Sequence, residues 1–325
     1  MKFYQGPTTD HFDGRHFYNS GPGLRGTGSV LRWLANRKPG PWRKWIDEPA
    51  GAPPPARVTG GGIRATFVGH STVLIQMDGM NILCDPIWSM RASPFSWIGP
   101  RRHRAPGIRF EDLPAIDVVL QSHDHYDHLD IPTVKRIASK WRPKFVVPLG
   151  VRGRFERKNI APAEQISELD WWQRMDMGHD LKITSALARH FSGRSLSDRN
   201  KTLWCGYVIQ GPAGTVYFAG DTGYGAHFQE IRRRFPKIRL AFLPIGAYLP
   251  QWFMGPVHIS PADAVRAHEE LGAGTSIGIH FGTFRLADDG EDEPANELRR
   301  AFDARKPSNP FFTLASGEGR DIPQS

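Results

Sequence analysis

The sequence predicts a mixed α/β (α+β) fold preceded by an irregular N-terminal arm. Three observations carry this. Short apolar, β-branched runs of strand length recur from Ala65 to Ala315, bounded by Gly, Pro and Asp. Helical patterns fall among them in both halves of the chain, opened by Pro132, by Ser260-Pro261 and at Glu297. Residues 1–60 show no strand pattern and are dense in Gly, Pro and Arg. They end in Ala52-Pro53-Pro54-Pro55, a stiff extended linker. The expected division is a basic, Trp-rich arm over 1–60 and one functional domain over 61–325.

Composition bounds the function classes. With 325 residues, 39% hydrophobic and 23% charged, the chain can bury a large core. No apolar run is long enough for a membrane span. Met1–Pro7 has no apolar leader core, so a cytoplasmic location is expected. Cys84 and Cys205 lie in apolar runs and read as buried, reduced thiols. The net charge of +9 favours polyanions without choosing between nucleic acid, anionic lipid and phosphate-bearing substrates.

In chain order, the arm first places His11, Asp13, Arg15 and His16 among Phe12, Phe17 and Tyr18, which reads as a segment wrapped over the domain. Leu31–Lys38 and Trp42–Ile46 interleave Trp with Arg and Lys. That fits an anionic lipid surface, and equally a short amphipathic helix laid on the core. Ala65–Val68 is a strand leading to Gly69-His70, where a core or supporting histidine is expected rather than a ligand. Val73–Met77 and Met80–Cys84 flank Asp78-Gly79, a two-residue type I′ hairpin signature. Asp85 closes the second strand, before Pro86. The loop Trp88–Arg109 carries five arginines, Arg91, Arg101, Arg102, Arg104 and Arg109, with Phe95 and Trp97. It could wall a substrate and hold a phosphate, or be a solvated basic surface.

Asp117–Leu120 is a short buried strand. The next ten residues, Gln121–Asp130, hold three histidines and three aspartates before a helix opens at Pro132. His123 and His125 are two apart, so an extended backbone turns both rings to one side. Asp127 and His128 sit at the turn, where the backbone can aim them at a second ion. Imidazole and carboxylate without thiolate suit Zn²⁺ and are compatible with Fe or Mn.

Lys144–Pro148 and Leu181–Ala186 read as strands, the second running on to Ala188-Arg189-His190. Leu203–Ile209 and Thr215–Ala219 form a hairpin ending at Gly220-Asp221. A carboxylate at a strand end between glycines suits a bridging ligand. Leu240–Ile245 is another buried strand. Trp252-Phe253-Met254 either lines an acyl pocket or packs in the core. His258 stands before the helix Ala262–Leu271, as an acid, an anion contact or a simple loop histidine. Ser276–Ile279 ends at His280, and Glu297–Arg305 and Phe311–Ala315 read as the last helix and strand.

The string His123-Asp124-His125-Tyr126-Asp127-His128 is the H-x-H-x-D-H signature of the metallo-β-lactamase superfamily, which the chain resembles. Gly69-His70-Ser71-Thr72-Val73, Asp85-Pro86-Ile87, Leu129-Asp130, Gly220-Asp221-Thr222-Gly223-Tyr224 and Ile279-His280-Phe281-Gly282-Thr283-Phe284 narrow the likeness to the N-acylphosphatidylethanolamine-hydrolysing phospholipase D family, from about Phe67 to Gly317. The resemblance implies a four-layer αβ/βα sandwich with the ligands on loops along one edge. It implies two Zn²⁺ per chain: His123, His125 and His190 on one, Asp127, His128 and His280 on the other, Asp221 bridging. Asp85 would orient a ligand histidine. A water whose pKa zinc lowers from ~15.7 to about 7 would attack phosphorus in line. Tyr126 and Arg194 are expected transition-state contacts, Arg194 as the anion contact because the family usually has a basic residue soon after the histidine that His190 matches, and here Phe191-Ser192-Gly193 intervene before it. The implied partner is a phospholipid or other phosphodiester, met at a peripheral membrane surface; no nucleic acid is expected, and a homodimer is compatible. A lactonase or phosphodiesterase acting on a soluble metabolite would use the same metals. A nuclease would use the charge, but Leu129–Arg189 shows no inserted RNA-binding module. A non-enzymatic module would leave the ligand set unexplained.

Overall fold

The computed structural model describes residues 3–19, 27–178, 180–195 and 197–324; Met1 and Lys2, the start of the segment read for a leader, lie outside them. The first helix is α1 (Thr27–Ala35). The first half of the domain then supplies β1 (Ile63–Gly69), β2 (Thr72–Met77), β3 (Met80–Cys84), β4 (Val118–Leu120), α2 (Ile131–Trp141), β5 (Lys144–Pro148), α3 (Arg152–Arg157) and β6 (Ile166–Leu169). The second supplies β7 (Arg174–Asp176), β8 (Lys182–Ala186), β9 (Gly206–Gly211), β10 (Gly214–Phe218), α4 (His227–Arg234), β11 (Ile238–Pro244), α5 (Gln251–Met254), α6 (Pro261–Leu271), β12 (Thr275–Ile279), α7 (Glu293–Arg305), β13 (Phe311–Phe312) and β14 (Gly319–Ile322). Two seven-stranded sheets result, ordered β14-β1-β2-β3-β4-β5-β6 and β13-β12-β11-β10-β9-β8-β7.

The period-two alternation of strands explains the layers. In the first sheet Ile82, Cys84, Val118, Leu120 and Val146 face the second sheet. Their neighbours Leu83, Val119, Phe145 and Val147 face outward onto Val134 and Ile137 of α2 and Phe155 of α3. The second sheet mirrors this. Val216, Phe218, Leu240, Phe242 and Ile277 meet the first sheet, whereas Tyr217, Ala241 and Leu243 pack on Phe228 of α4 and Val265 and Leu271 of α6. Strands covered on both faces read as continuous apolar runs. The expected four-layer αβ/βα sandwich is the observed fold. The hairpin is also as expected: Met77 pairs with Met80, and Asp78 (φ 51°) and Gly79 (φ 76°) both take the positive φ of a type I′ turn.

Several boundaries differ from the sequence reading. Leu203–Cys205 is irregular and its strand starts at Gly206; the last helix starts earlier, at Glu293 beside Pro294; the strand expected over Phe311–Ala315 shrinks to two residues. The arm is more deeply integrated than a wrapping segment. Phe12 and Phe17, 2% and 0% exposed, are part of the core between the sheets. They stack on each other at 4.6 Å, and the Phe17 amide donates to the Asn200 carbonyl at 2.7 Å. Burying two phenyl rings is worth roughly 1.5–3 kcal/mol each; the polar residues around them hid that signal. The Leu31–Lys38 stretch is helical in its first half, and Trp33 stacks on Phe253 at 5.1 Å while Leu31 and Leu34 stay exposed. Cys84 and Cys205 are free and buried; burial pushes the Cys205 thiol up to about 12. No helix among the described residues is long and apolar enough to cross a membrane.

Candidate metal centre

The expected ligands and their expected supports, His70 and Asp85, come from strand ends that open on one edge of the sandwich. His70 follows β1, Asp85 follows β3, the loop 121–130 follows β4, His190 lies beyond β8, Asp221 beyond β10 and His280 directly after β12. His70 (φ 56°), Asp85 (φ 41°) and His280 (φ 63°) hold left-handed backbone that residues with a Cβ seldom adopt, a strain found where side chains must be aimed. The His280 amide donates to the His70 carbonyl at 2.8 Å, tying the ends of the two sheets together. Gly220 (φ +60°) has no alternative: a Cβ there would lie 2.6 Å from the Ser122 Cβ.

The side chains converge on Asp221. Its Oδ2 is 3.2 Å from His128 Nε2, 3.1 Å from His280 Nε2, 3.7 Å from His190 Nε2 and 4.0 Å from His123 Nε2. His125 Nδ1 stands 2.8 Å from His123 Nε2 and 3.2 Å from His190 Nε2, so these three rings share a focus. Asp127 Oδ2 is 3.4 Å from the Nε2 atoms of both His128 and His280, and 2.9 Å from His70 Nε2. Four overlapping groups of donors result among the described residues: His123/His125/His190, His70/Asp127/His128/His280, Asp85/His123/His128 and His190/Asp221/His258. His70, His128 and His280 all face the same oxygen of Asp127, Oδ2.

Further contacts fix the rings. Asp85 is fully buried and accepts from His128 Nδ1 at 2.8 Å, the Ser122 amide at 2.7 Å, Ser122 Oγ at 2.5 Å and Gln121 Nε2 at 3.0 Å. That leaves His128 Nε2 pointing into the cluster. His190 Nδ1 is 2.9 Å from the Val257 carbonyl, which turns Nε2 inward.

The charge balance is that of a cation site. Burial alone would raise Asp127 and Asp221, but the surrounding imidazoles hold both carboxyls well below the usual range. Burial drives His123 and His190 well below the ordinary imidazole value, and His258 down to about 4. Burial also opposes charge on His128 and His280, but Asp221 and Asp127 outweigh it, raising His128 and bringing His280 to about 9. Nε2 of His128 and of His280 and Oδ1 of Asp221 are buried without a hydrogen-bond partner among the described residues. Lone pairs converging from imidazole and carboxylate, with no thiolate, fit divalent cations that would take over the charge-balancing role of those protons.

The remaining expected site residues are placed as follows. His258 Nδ1 is 3.9 Å from Asp221 Oδ2, and its ring lies 5.1 Å from that of His190. Tyr126 donates its hydroxyl to the Arg194 carbonyl at 2.9 Å. The Arg194 guanidinium lies 3.7 Å over the Tyr126 ring, and its Nη1 donates to the carbonyls of Asp124 (2.9 Å) and Leu129 (2.7 Å). Met254 is buried with Ala247 and Ala287, Phe253 packs on Trp33, and Arg32 lies 4.9 Å over the half-exposed Trp252. The five arginines of the 88–109 loop do not form one anion site. Arg102 is buried and donates to the carbonyls of Ser89 and Ile87 at 3.0 Å. Arg104 pairs with Glu48, Arg109 with Asp112, and Arg91 binds the Ser96 and Gly99 carbonyls.

Two supports escaped the sequence reading. Arg154 of α3 pairs with buried Asp124 and with Asp198 (2.9 Å), while the Gly193 amide donates to Asp124 at 2.8 Å. This joins the His123–His128 loop to the loop after His190. From the arm, Asn19 donates to the His190 carbonyl at 2.7 Å.

Comparison with known proteins agrees with this geometry. Residues 80–281 match the family model described as a β-lactamase superfamily domain. The chain belongs to that superfamily. An N-acyl-phosphatidylethanolamine-hydrolyzing phospholipase D of Caenorhabditis elegans is 39% identical over 267 residues, 79% of this chain and 75% of that protein, and the chain falls in this phospholipase D-like branch. An uncharacterised protein of Mycobacterium tuberculosis is 44% identical over 242 residues, 74% of this chain; the match spans 64% of that protein's length. The metallo-hydrolase Igni18 of Ignicoccus hospitalis has the same fold (TM-score 0.60, 22% identity, covering 81% of this chain and 99% of its own).

Proposed function

We propose that the chain is a binuclear hydrolase of phosphodiesters whose substrate is N-acylphosphatidylethanolamine, cleaved to phosphatidic acid and the N-acylethanolamine. The observation that carries this is the convergence of His123, His128, His190 and His280 on one oxygen of Asp221, with His125 and Asp127 completing two donor groups. The likeness to the C. elegans enzyme, named for that lipid, supports the substrate. His123, His125 and His190 would hold one Zn²⁺, Asp127, His128 and His280 the other, and Asp221 both. Such ions supply Lewis acidity and make water nucleophilic near neutral pH. The chain's own groups do the rest. Asp85 and the Val257 carbonyl hold His128 and His190 with Nε2 inward, and His258 stands beside Asp221. Residues 61–325 carry the hydrolase and the arm braces it through Phe17 and Asn19.

A lipid substrate asks for contact with a lipid surface. Phe95, Trp97 and Ile98, 53%, 71% and 51% exposed, form an apolar loop tip flanked by Arg91 and Arg101, which supports peripheral docking on anionic membrane. The test is metal-dependent hydrolysis of N-acylphosphatidylethanolamine in mixed micelles, beside bis-(p-nitrophenyl) phosphate. Release of N-acylethanolamine that stops with chelator, and is absent in Asp221→Asn, is expected. Cleavage of the soluble ester alone would discard the lipid and keep the metal centre.

A further inference from the structure

Beside the metal-ligand loop lies a cavity of about 680 Å³ that the reaction above does not use. Pro94, Tyr126 and Ile131 give it an apolar wall; Arg157, Lys158 and Arg194 give it a basic one. None of the seven expected metal ligands lines it.

Its two acidic neighbours are already committed. Asp130 accepts from the Ser89 amide (3.0 Å), the Ser89 hydroxyl (2.8 Å) and the Thr133 hydroxyl. Asp198 accepts from Arg154 (2.9 Å) and from the amides of Arg194 and Ser195 (both 2.8 Å). These two acids stand against four lining cations, Arg154, Arg157, Lys158 and Arg194, so the cavity keeps a positive excess. Arg194 donates Nη1 to backbone carbonyls and lies against the Tyr126 ring, and it has no carboxylate partner among the described residues. Arg157 is held in place at the rim, its Nε donating to the Gly153 carbonyl at 2.8 Å and its guanidinium 4.8 Å from the Phe3 ring. The exposed Lys158 ammonium, on the next residue, has no ion pair among the described residues.

We infer that this cavity is a binding site for an organic phosphate monoester. Cations from two separate elements, α3 and the loop after His190, can meet the three terminal oxygens of a dianion from different sides. A diester offers two such oxygens. The cavity far exceeds a bare phosphate, and its apolar wall suits the organic body that a monoester carries. The ligand can come from lipid, as phosphatidic acid, or from a soluble phosphate such as glycerol 3-phosphate; both present the same headgroup chemistry. Tyr126, stacked on Arg194 and sitting between His125 and Asp127, places the occupant next to the metal-ligand loop.

The test is calorimetric titration of the zinc-loaded full chain with dihexanoyl phosphatidic acid below its micellar concentration, with glycerol 3-phosphate and with inorganic phosphate. The proteins are wild type, the double variant Arg157→Ala/Lys158→Ala and a charge-matched control, Lys135→Ala/Arg142→Ala. Thermal midpoint and zinc content verify that each variant folds and holds metal. The double variant should bind the organic phosphates at least about tenfold more weakly than wild type, through loss of charge-assisted contacts, with the control unchanged. Tight binding of both organic phosphates marks a soluble source; binding of the phosphatidic acid alone marks a lipid source, and either supports the site. No measurable binding to wild type, binding of inorganic phosphate only, or identical isotherms for wild type and double variant would overturn it. Failure of the phospholipase reading would appear instead as absent N-acylethanolamine release and would leave these isotherms as they are.

Discussion

Replacing Asp85 by Asn keeps the shape and removes one charge at the best-defined support of the metal centre. The carboxylate is fully buried and receives four donors, two on each oxygen: the Ser122 amide and Gln121 Nε2 on Oδ1, Ser122 Oγ and His128 Nδ1 on Oδ2. An amide has one acceptor oxygen, so its NH₂ must face one of these pairs. With the oxygen kept toward the Ser122 amide, the NH₂ meets His128 Nδ1–H, donor against donor. The relief is for His128 to move its proton to Nε2, the atom aimed at Asp221, which then cannot ligate. Loss of such an orienting partner costs about 10–100-fold in metal affinity, or about 1.4–2.7 kcal/mol. Competition for zinc with a chromophoric chelator should show the weaker site in Asp85→Asn, and phosphodiester turnover should fall at limiting zinc and recover in part at excess. Removing only the Ser122 hydroxyl, in Ser122→Ala, should have the smaller effect, because His128 keeps its acceptor. An Asp85→Asn protein that binds two zinc ions with wild-type affinity would refute the reasoning.

The arm offers two further tests. His11 lies between Asp170 (2.8 Å) and Asp10 (2.6 Å) and stacks on Trp171 at 4.4 Å. Burial disfavours its charge, but the hydrogen bonds to Asp170 and Asp10 outweigh that and raise it above the ordinary 6.5. Its stabilisation is therefore complete below the unfolded value of 6.5 and is lost as pH rises through the higher folded value; the thermal-midpoint gap between wild type and His11→Gln should narrow from pH 6 to pH 8, and a constant gap would show that His11 charge plays no part. Phe17→Ala empties a fully buried position between the sheets and should cost about 3–5 kcal/mol in denaturant unfolding. A loss below about 1 kcal/mol would mean that the arm is peripheral.

What could be read from the sequence, and what could not, divides by the range of the interaction rather than by its importance. The loop 121–130 was legible because its donors are neighbours and because β4 and α2 on either side announce themselves by an apolar run and a helix-opening proline. The type I′ turn at Asp78-Gly79 was legible for the same reason: positive φ at two adjacent positions is a local demand. His190, Asp221 and His280 are remote from that loop, yet each follows within four residues a strand that its apolar run gives away, and the family likeness supplied the role. The strands missed, β6 (Ile-Ser-Glu-Leu), β7 (Arg-Met-Asp) and β14 (Gly-Arg-Asp-Ile), are short, rich in polar residues and at sheet edges, where side chains face water and apolar periodicity has little to report. The supports were hidden differently. Arg154 and Asp124 are 30 positions apart and Asn19 and His190 are 171 apart; each residue alone resembles any solvated polar group, and only the pairing makes it structural. The same holds for four of the five arginines of the 88–109 loop, Arg91, Arg102, Arg104 and Arg109, whose composition suggested a common anion and whose partners proved to be separate carbonyls and carboxylates of the protein. Arg194 is the exception that makes the distinction useful. It too is bonded to carbonyls, through Nη1, but it has no carboxylate partner among the described residues and lines a cavity where cations outnumber acids. A cation whose partners are all protein atoms is part of the scaffold; one left partly unmatched beside an open volume is where a ligand completes the charge balance.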